Sequence, residues 1–194
     1  MKKICIAGGH GGMGNEMVKE LKQKGYDIHI ISREENRSPD CDVLILNSGI
    51  GWFGPLEDLD DKKLKDLMWV NLERHILLTK SVIKEWKKRK SGHLIFIASN
   101  CAYEGFSENN AYAGTKAGLL GFARSLYKEV NRNGIKVTVI SPGTTNTDFW
   151  LTANADHRDK CNPVEPSEIA RAVSFALEMK ANVSEMIILP TMKD

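Results

Sequence analysis

The sequence has few cysteines and no bias toward charge of one sign. Its four cysteines lie far apart, with no Cys-x-x-Cys pair: Cys5, Cys41, Cys101 and Cys161. This spacing fits neither a zinc site nor a redox motif, so we expect reduced, unpaired thiols and no metal. The 27 Lys and Arg residues nearly balance the 25 Asp and Glu residues, which leaves a formal net charge of +2. Such a balance argues against nucleic acid as a partner.

Long apolar runs are also absent. Stretches such as residues 43–46 and 94–98 are far shorter than the roughly 20 residues of a membrane helix. The apolar segment 4–7 is too short for a signal peptide, so we expect no membrane contact and a cytoplasmic location. A chain of 194 residues can form one domain, 1–194, with a core that needs no metal or disulfide.

Short apolar runs alternate with longer segments of helical periodicity. The predicted strands are residues 4–7, 27–31, 43–46, 93–98, 136–140 and 186–189. The predicted helices are residues 15–24, 60–90, 110–131 and 168–179. Strands this continuously apolar are typical of a parallel sheet that is buried on both faces. The order predicts an α/β, three-layer, doubly wound parallel sheet.

The predicted helix 60–90 carries apolar residues at spacings of three and four, which predict one buried stripe: Leu64, Leu67, Met68, Leu72, Ile76, Leu77 and Ile83. Trp69 and Trp86, on the same helix, are interpreted as core or interface residues. Three histidines lack the spacing of metal ligands and are predicted at the surface or in loops: His10, His75 and His157.

A glycine-rich turn follows the first predicted strand and leads directly into a helix. Glycines there let backbone N–H groups approach a phosphate, and the helix N-terminus favours negative charge. Such turns also serve packing, but this position favours dinucleotide binding. The absence of Lys-Ser or Lys-Thr after the last glycine disfavours a P-loop. The candidate cofactor-binding residues of the turn are Gly8, His10, Gly12, Met13 and Gly14.

The end of the second predicted strand is where a dinucleotide-binding fold meets the adenosine ribose. No acid stands at Ser32, and Arg33 follows it. A hydroxyl and a guanidinium suit a 2′-phosphate better than a bare ribose diol, so NADP(H) is favoured and NAD(H) stays possible. The alternative is that Arg33 is a solvated loop charge.

Three further motifs point in one direction. They are Asn47-Ser48-Gly49, Tyr112-Ala113-Gly114-Thr115-Lys116 and Pro142-Gly143-Thr144-Thr145-Asn146-Thr147. With the glycine-rich turn, they make the chain resemble the short-chain dehydrogenase/reductase family over residues 3–190. The resemblance implies a Rossmann-like fold and hydride transfer between a nicotinamide cofactor and the carbonyl or alcohol of a small molecule. It implies that seven residues of these motifs also bind the cofactor: Asn47, Ser48, Gly49, Pro142, Gly143, Thr145 and Thr147.

The resemblance also implies a catalytic set of Asn71, Ser99, Tyr112 and Lys116, of which Tyr112 and Lys116 would contact the cofactor too. A phenol has a pKa near 10, so a general base of this type needs a nearby cation, and Lys116 lies one helical turn from Tyr112. Ser99 would hydrogen-bond the substrate oxygen, and Asn71 would hold a water next to Lys116. Alternatively, Ser99 simply ends a strand, and Asn71 stabilises a helix kink.

The chain departs from the family between its second and third strands. Only the eleven residues 32–42 intervene, too few for the helix-strand-helix segment that the family has there. We therefore expect six strands in the order 2-1-3-4-5-6, a missing edge unit and a weaker affinity for the cofactor. Asp40 could replace the acidic residue of the adenine pocket. A nucleotide-binding regulatory or scaffold protein without turnover is the alternative function.

The segment 142–166 should shape the substrate pocket. Its expected lining is mixed: Thr144, Thr147, Phe149, Trp150 and Leu151. The polar, short segment 152–163 suggests a shallow or mobile lid. An epimerase with a separate substrate domain is excluded, because only about fifty residues follow Pro142. The resemblance implies a homodimer or homotetramer through the helices 60–90 and 110–131.

Overall fold

A six-stranded parallel sheet forms the centre of the protein, in a computed structural model that describes residues 1–193. Asp194, the last residue of the predicted domain, lies outside the described residues. The strands are β1 Lys3–Ala7, β2 Asp27–Ile31, β3 Val43–Leu46, β4 Gly92–Ile97, β5 Ile135–Pro142 and β7 Glu185–Ile188. Their order is β2-β1-β3-β4-β5-β7. This confirms the predicted strands, within two residues at each end, and their order.

Helices cover both faces of the sheet. They are α1 Gly12–Gln23, α2 Asp61–Met68, α3 Arg74–Arg89, α4 Asn110–Val130, α5 Phe149–Thr152 and α6 Pro166–Glu178. Helix α1 begins at Gly12 and not at residue 15, so the last glycines of the turn belong to the helix. A short antiparallel pair, β6 Cys161–Asn162 with β8 Thr191–Met192, was not predicted, because its strands have only two residues each.

Alternate residues of each strand supply the two halves of the core. Ile4 and Ile6 of β1 pack with α1 and α6, through residues such as Met17 and Val173. Cys5 and Ala7 of the same strand pack with α3 and α4 on the other face. Because the side chains of a strand point alternately to the two faces, a buried strand needs apolar residues at every position. The three-layer architecture is therefore confirmed.

The helical stretch 60–90 contains a π-helical turn, Trp69–Glu73, between α2 and α3. The predicted stripe is wrong in part, since Leu64 is 39% and Met68 43% exposed. The buried face carries Leu67, Leu78, Val82 and Trp86, and with them the polar residues Asn71, Arg74, His75 and Thr79. A π turn contains more residues than an α turn and rotates the face that follows. His75, predicted at the surface, is fully buried, and Trp86 is a core residue.

The connection 32–42 runs along α3 and is hydrogen-bonded to it. Ser81 Oγ accepts a hydrogen bond from Ser38 N at 2.9 Å, and Trp86 Nε1 donates one to Cys41 O at 2.8 Å. At the far end, Arg89 Nη1 donates to Asp40 Oδ1 at 3.2 Å. Arg89 precedes β4, so Asp40 lies at the amino edge of the sheet, opposite the glycine-rich turn. The predicted role of Asp40 in an adenine pocket is therefore wrong.

Neither a membrane-spanning helix nor a metal-binding cluster occurs within the described residues. No helix within residues 1–193 is both long and apolar enough to cross a membrane. The same residues contain no group of three or more side chains that could bind a metal ion. All four cysteines are buried and unpaired.

Candidate active site

The glycine-rich turn is packed so closely that most of its glycines have no room for a side chain. Gly8 has a φ of +83°, and a Cβ there would lie 2.7 Å from Ser48 N. A Cβ on Gly14 would lie 2.0 Å from Gly8 O, and one on Gly12 would lie 2.8 Å from Thr147 Cγ2. Only Gly11 faces open space, with its nearest neighbour 4.0 Å from an added Cβ. The turn thus brings bare backbone to the N-terminus of α1, where an anion binds best.

Asn47 ties the end of β3 to this turn. Its backbone N–H donates to Ala7 O at 3.0 Å, and its side-chain Nδ2 donates to Gly8 O at 2.7 Å. Its buried Oδ1 has no hydrogen-bond partner among the described residues. The arrangement leaves one acceptor available to a ligand at the carboxyl edge of the sheet.

Helix α4 brings Tyr112 and Lys116 to the same edge, as their spacing predicts. Both are almost fully buried, 8% and 3% exposed. Lys116 Nζ donates to Ile97 O at 3.1 Å and lies 5.7 Å from the centre of the Tyr112 ring. Ser99 follows β4, and its side chain lies near enough to the Tyr112 hydroxyl to influence the pKa of that phenol. The structure therefore brings these three predicted residues together.

Burial dominates the electrostatics of this group. Burial, assisted by the nearby Cys101, raises the pKa of Tyr112 far above its ordinary value, and the neighbouring Ser99 side chain offsets this only partly. Burial lowers the pKa of Lys116 to about 8. The net effect on Tyr112 is thus opposite to the lowering that the sequence suggested, because desolvation penalises the phenolate. In this structure Tyr112 is a neutral phenol at neutral pH, which is the form that donates a proton.

Asn71 lies in the π turn, and its side-chain amide hydrogen-bonds protein atoms. Its Oδ1 accepts from Ile50 N at 2.9 Å, and its Nδ2 donates to Ile50 O at 2.9 Å and to Thr115 Oγ1 at 3.1 Å. The side chain therefore fixes the segment after Gly49 and links it to α4. This geometry favours the alternative in which Asn71 stabilises a local distortion of the helix.

A cavity of about 440 Å³ opens beside these groups. The predicted site residues that line it are Met13, Asn47, Gly49, Ser99, Tyr112, Lys116, Pro142, Gly143, Thr145 and Thr147. The other predicted site residues lie outside its lining: Gly8, His10, Gly12, Gly14, Ser32, Arg33, Ser48 and Asn71. Ser32 and Arg33 are exposed at the end of β2. The cavity thus contains the predicted catalytic end of the site and not its adenosine end.

Aromatic rings form one wall of the cavity around Tyr112. The Phe53 and Phe149 rings lie 5.6 and 5.8 Å from the Tyr112 ring, and Trp150 packs on Phe53 at 5.6 Å. Phe53 N donates to Ala153 O at 3.0 Å, which fastens the segment after α5 to the wall. The sequence indicated Phe149 and Trp150 but missed Phe53, which belongs to no motif and reaches the site through this long-range contact.

Comparison with known proteins agrees with this geometry. The model of a family described as short chain dehydrogenase matches residues 37–158, more than half of the chain. The chain belongs to the short-chain dehydrogenase/reductase family. The family and the Rossmann-like fold predicted from the sequence are confirmed.

Relatives of this family member cover nearly its whole length. Carbonyl reductase family member 4 of Xenopus laevis is 28% identical, over 92% of both chains. A short-chain dehydrogenase from Sphingobium yanoikuyae in complex with NADPH has a similar fold, with a TM-score of 0.86 at 18% identity, over 95% of this chain and 87% of that one. A 3-ketoacyl-(acyl-carrier-protein) reductase from Brucella melitensis, complexed with NADH, gives a TM-score of 0.87 at 18% identity, over 97% and 96%.

Proposed function

We propose that the chain is an oxidoreductase that uses a nicotinamide cofactor, NADP(H) in preference to NAD(H), to interconvert a carbonyl group and an alcohol on a small molecule. The observation that carries the proposal is the position of Tyr112, Ser99 and Lys116 on one wall of a cavity that also reaches Asn47 and Gly49. A proton donor, a hydroxyl for the substrate oxygen and a buried ammonium are the groups this reaction requires.

The residues at the carboxyl edge fit a nicotinamide cofactor. Asn47 presents an unpartnered Oδ1, and a Cβ on Gly49 would stand 3.5 Å from Lys116 Nζ, so the glycine keeps the space next to the ammonium free. These residues and Thr147 would hold the nicotinamide half, and Ser32 with Arg33 would meet the adenosine end. When bound, the nicotinamide supplies or accepts the hydride. That the two similar structures contain NADPH and NADH supports a cofactor of this class.

The protonation states of Tyr112 and Lys116 fit the proton transfer that reduction of a carbonyl requires. Tyr112, held as a neutral phenol, donates its proton to the carbonyl oxygen, while the Ser99 hydroxyl hydrogen-bonds the same oxygen. Lys116 keeps its charge below a pH of about 8 and stabilises the phenolate that remains after the transfer. The reverse reaction needs the phenolate at the start, which burial disfavours.

The cavity favours a carbonyl compound with an apolar substituent. Its volume of about 440 Å³ is within the range typical of small-molecule sites. Phe53, Phe149 and Trp150 line it next to Tyr112, together with Phe106 and Met192. An aryl or branched alkyl group would bury against these side chains.

A panel of carbonyl compounds tests this proposal. NADPH and NADH oxidation would be followed with benzaldehyde and acetophenone on one side, and acetone and dihydroxyacetone on the other. We expect kcat/KM to be higher for the aryl compounds and for NADPH. Faster turnover of the polar compounds would contradict the substrate class, and failure to bind either cofactor in calorimetry would contradict the function.

The shortened connection 32–42 favours the second candidate, a nucleotide-binding protein without turnover. This alternative gains support if the wild-type chain binds NADP(H) or NAD(H) but transfers no hydride to any compound of the panel.

We also infer a homodimer or homotetramer through α2, α3 and α4. The exposure of Leu64 and Met68 on α2, large apolar side chains, supports this surface. Sedimentation at micromolar concentration should show the oligomer, and a monomer would contradict it.

A further inference from the structure

One buried arginine links the two turns that border the adenosine end of the proposed cofactor site. Arg74 Nη1 donates to Ser48 Oγ at 3.0 Å, and its Nη2 donates to Glu35 O at 3.1 Å and to Ser32 O. Ser32 follows β2 and Ser48 follows β3, and these strands lie on either side of β1. The guanidinium therefore joins loops of strands whose axes are roughly 10 Å apart.

The turn after β2 is held from two directions. Glu35 Oε2 accepts a hydrogen bond from Ser32 N at 2.7 Å, which closes the turn on itself. Arg74 binds the carbonyl oxygens of Ser32 and Glu35 from within the protein, being itself only 4% exposed. The side chain of Arg33 stays at the surface of the turn. The residues expected to meet the adenosine ribose thus stand on a turn whose backbone Arg74 fixes.

Burying the charged side chain of Arg74 costs folding free energy. Its three hydrogen-bond acceptors are uncharged, and its buried Nε has no partner in the described part of the chain. Burial lowers the pKa of Arg74, although the nearby Glu35 and Glu34 carboxylates oppose this. A buried charge with incomplete partners costs more than an apolar side chain of similar size. What the guanidinium adds is a rigid fork of five N–H groups that reaches both turns at once.

We propose that Arg74 is the positioning residue for the adenosine half of the cofactor, in place of the edge unit that this chain lacks. The inference rests on the proposed function. The fork sets the distance and orientation of the turns at Ser32 and Ser48, between which the adenosine and its 2′-phosphate would bind. The nicotinamide half, held around Lys116 and Asn47, is affected less, because Arg74 hydrogen-bonds Ser48 but neither of these two residues.

Calorimetry with two probes tests this role. The probes are NADPH and adenosine 2′,5′-bisphosphate, which carries the adenosine half alone. In Arg74→Met we expect the Kd of both probes to rise about tenfold, the factor that corresponds to one lost hydrogen bond with a charged group. The kcat at saturating NADPH should change far less than the KM for NADPH. The matched control is Arg124→Met, because Arg124 pairs with Glu185 on the surface and contacts neither turn; its Kd values should equal those of the wild type.

Arg74→Lys keeps the charge and provides a second variant if Arg74→Met does not fold. A lysine cannot donate to both turns in the fixed directions of the fork, so its Kd for the bisphosphate should also rise. The inference would be overturned if the lysine variant bound the bisphosphate with wild-type affinity. It would also be overturned if the methionine variant lost kcat and NADPH affinity by equal factors. A wild-type chain that binds neither probe would instead overturn the proposed function.

Discussion

The Asn71 side chain binds both backbone groups of Ile50, with the N–H to Oδ1 and the carbonyl to Nδ2 each at 2.9 Å. Asn71 lies in the π turn between α2 and α3, and Ile50 follows Gly49 at the end of β3. The contact places one edge of the cavity, because Gly49 lies beside Lys116 Nζ. The same amide therefore fixes the π turn and the segment after β3.

Replacing this amide should affect both stability and turnover. Asn71→Ala leaves the two Ile50 groups without partners, and each such group costs about 1–3 kcal/mol. We expect the free energy of unfolding to fall by about 2–4 kcal/mol in urea titrations. Displacement of the Gly49 turn should lower kcat/KM by about tenfold or more. Asn162→Ala, which removes only a surface hydrogen bond to Thr191, is the control, and a loss of similar size there would refute the explanation.

The glycine-rich turn offers a matched pair of substitutions. Gly14→Ala would force a Cβ to within 2.0 Å of Gly8 O, whereas the Cβ of Gly11→Ala finds its nearest neighbour at 4.0 Å. Overpacking of this kind costs about 1–3 kcal/mol or more, and each kcal/mol shifts the Tm of a domain of this size by about 2–4 °C. Differential scanning calorimetry should show a lower Tm for the Gly14 variant alone. Equal Tm values would mean that the turn relaxes freely.

Two buried histidines should make the protein sensitive to acid. Burial lowers the pKa of His75 and of His93 to about 3, and Lys116 and Arg74 add to the effect at His75. Between pH 6.5 and 3 the unfolded chain then binds protons that the folded chain does not. The stability present above pH 6.5 should therefore be lost on acidification, by up to about 1.4 kcal/mol per pH unit for each histidine.

The His75→Leu variant isolates one of these contributions. It removes two ring nitrogens that lack hydrogen-bond partners within residues 1–193, so the slope of stability against pH should become shallower between pH 6.5 and 3. The exposed His10 serves as the control, and His10→Gln should retain the wild-type slope. An unchanged slope in His75→Leu would show that His75 is not buried in its neutral form.

The sequence predicts the sheet and the proximity of Tyr112 and Lys116 because local patterns determine them. A strand buried on both faces is apolar at every position, and the Tyr112 to Lys116 spacing places both side chains on one helical turn. The eleven-residue connection likewise predicts the missing edge unit, since chain length alone excludes it.

What the sequence could not predict depends on contacts between distant segments. No sequence pattern singled out Arg74, whose role depends on its hydrogen bonds to the turns at Ser32 and Ser48. Phe53 joins the site through a hydrogen bond to Ala153. Asp40 looked suitable by its position in the sequence, yet its pairing with Arg89 places it at the opposite edge of the sheet. No local pattern indicates any of these three contacts.

The most direct test of the proposed reaction compares two tyrosine variants. The measurement is the rate of NADPH oxidation, with any carbonyl compound that the wild type reduces, in Tyr112→Phe and in Tyr103→Phe. Tyr103 hydrogen-bonds Glu185 outside the cavity lining, so its variant should keep wild-type turnover. Tyr112→Phe should lose turnover by about 100-fold or more, which is the effect expected when a general acid is missing. Its Kd for NADPH should stay within about twofold of the wild-type value, far below the tenfold change that corresponds to about 1.4 kcal/mol. Turnover that survives in Tyr112→Phe would contradict the account.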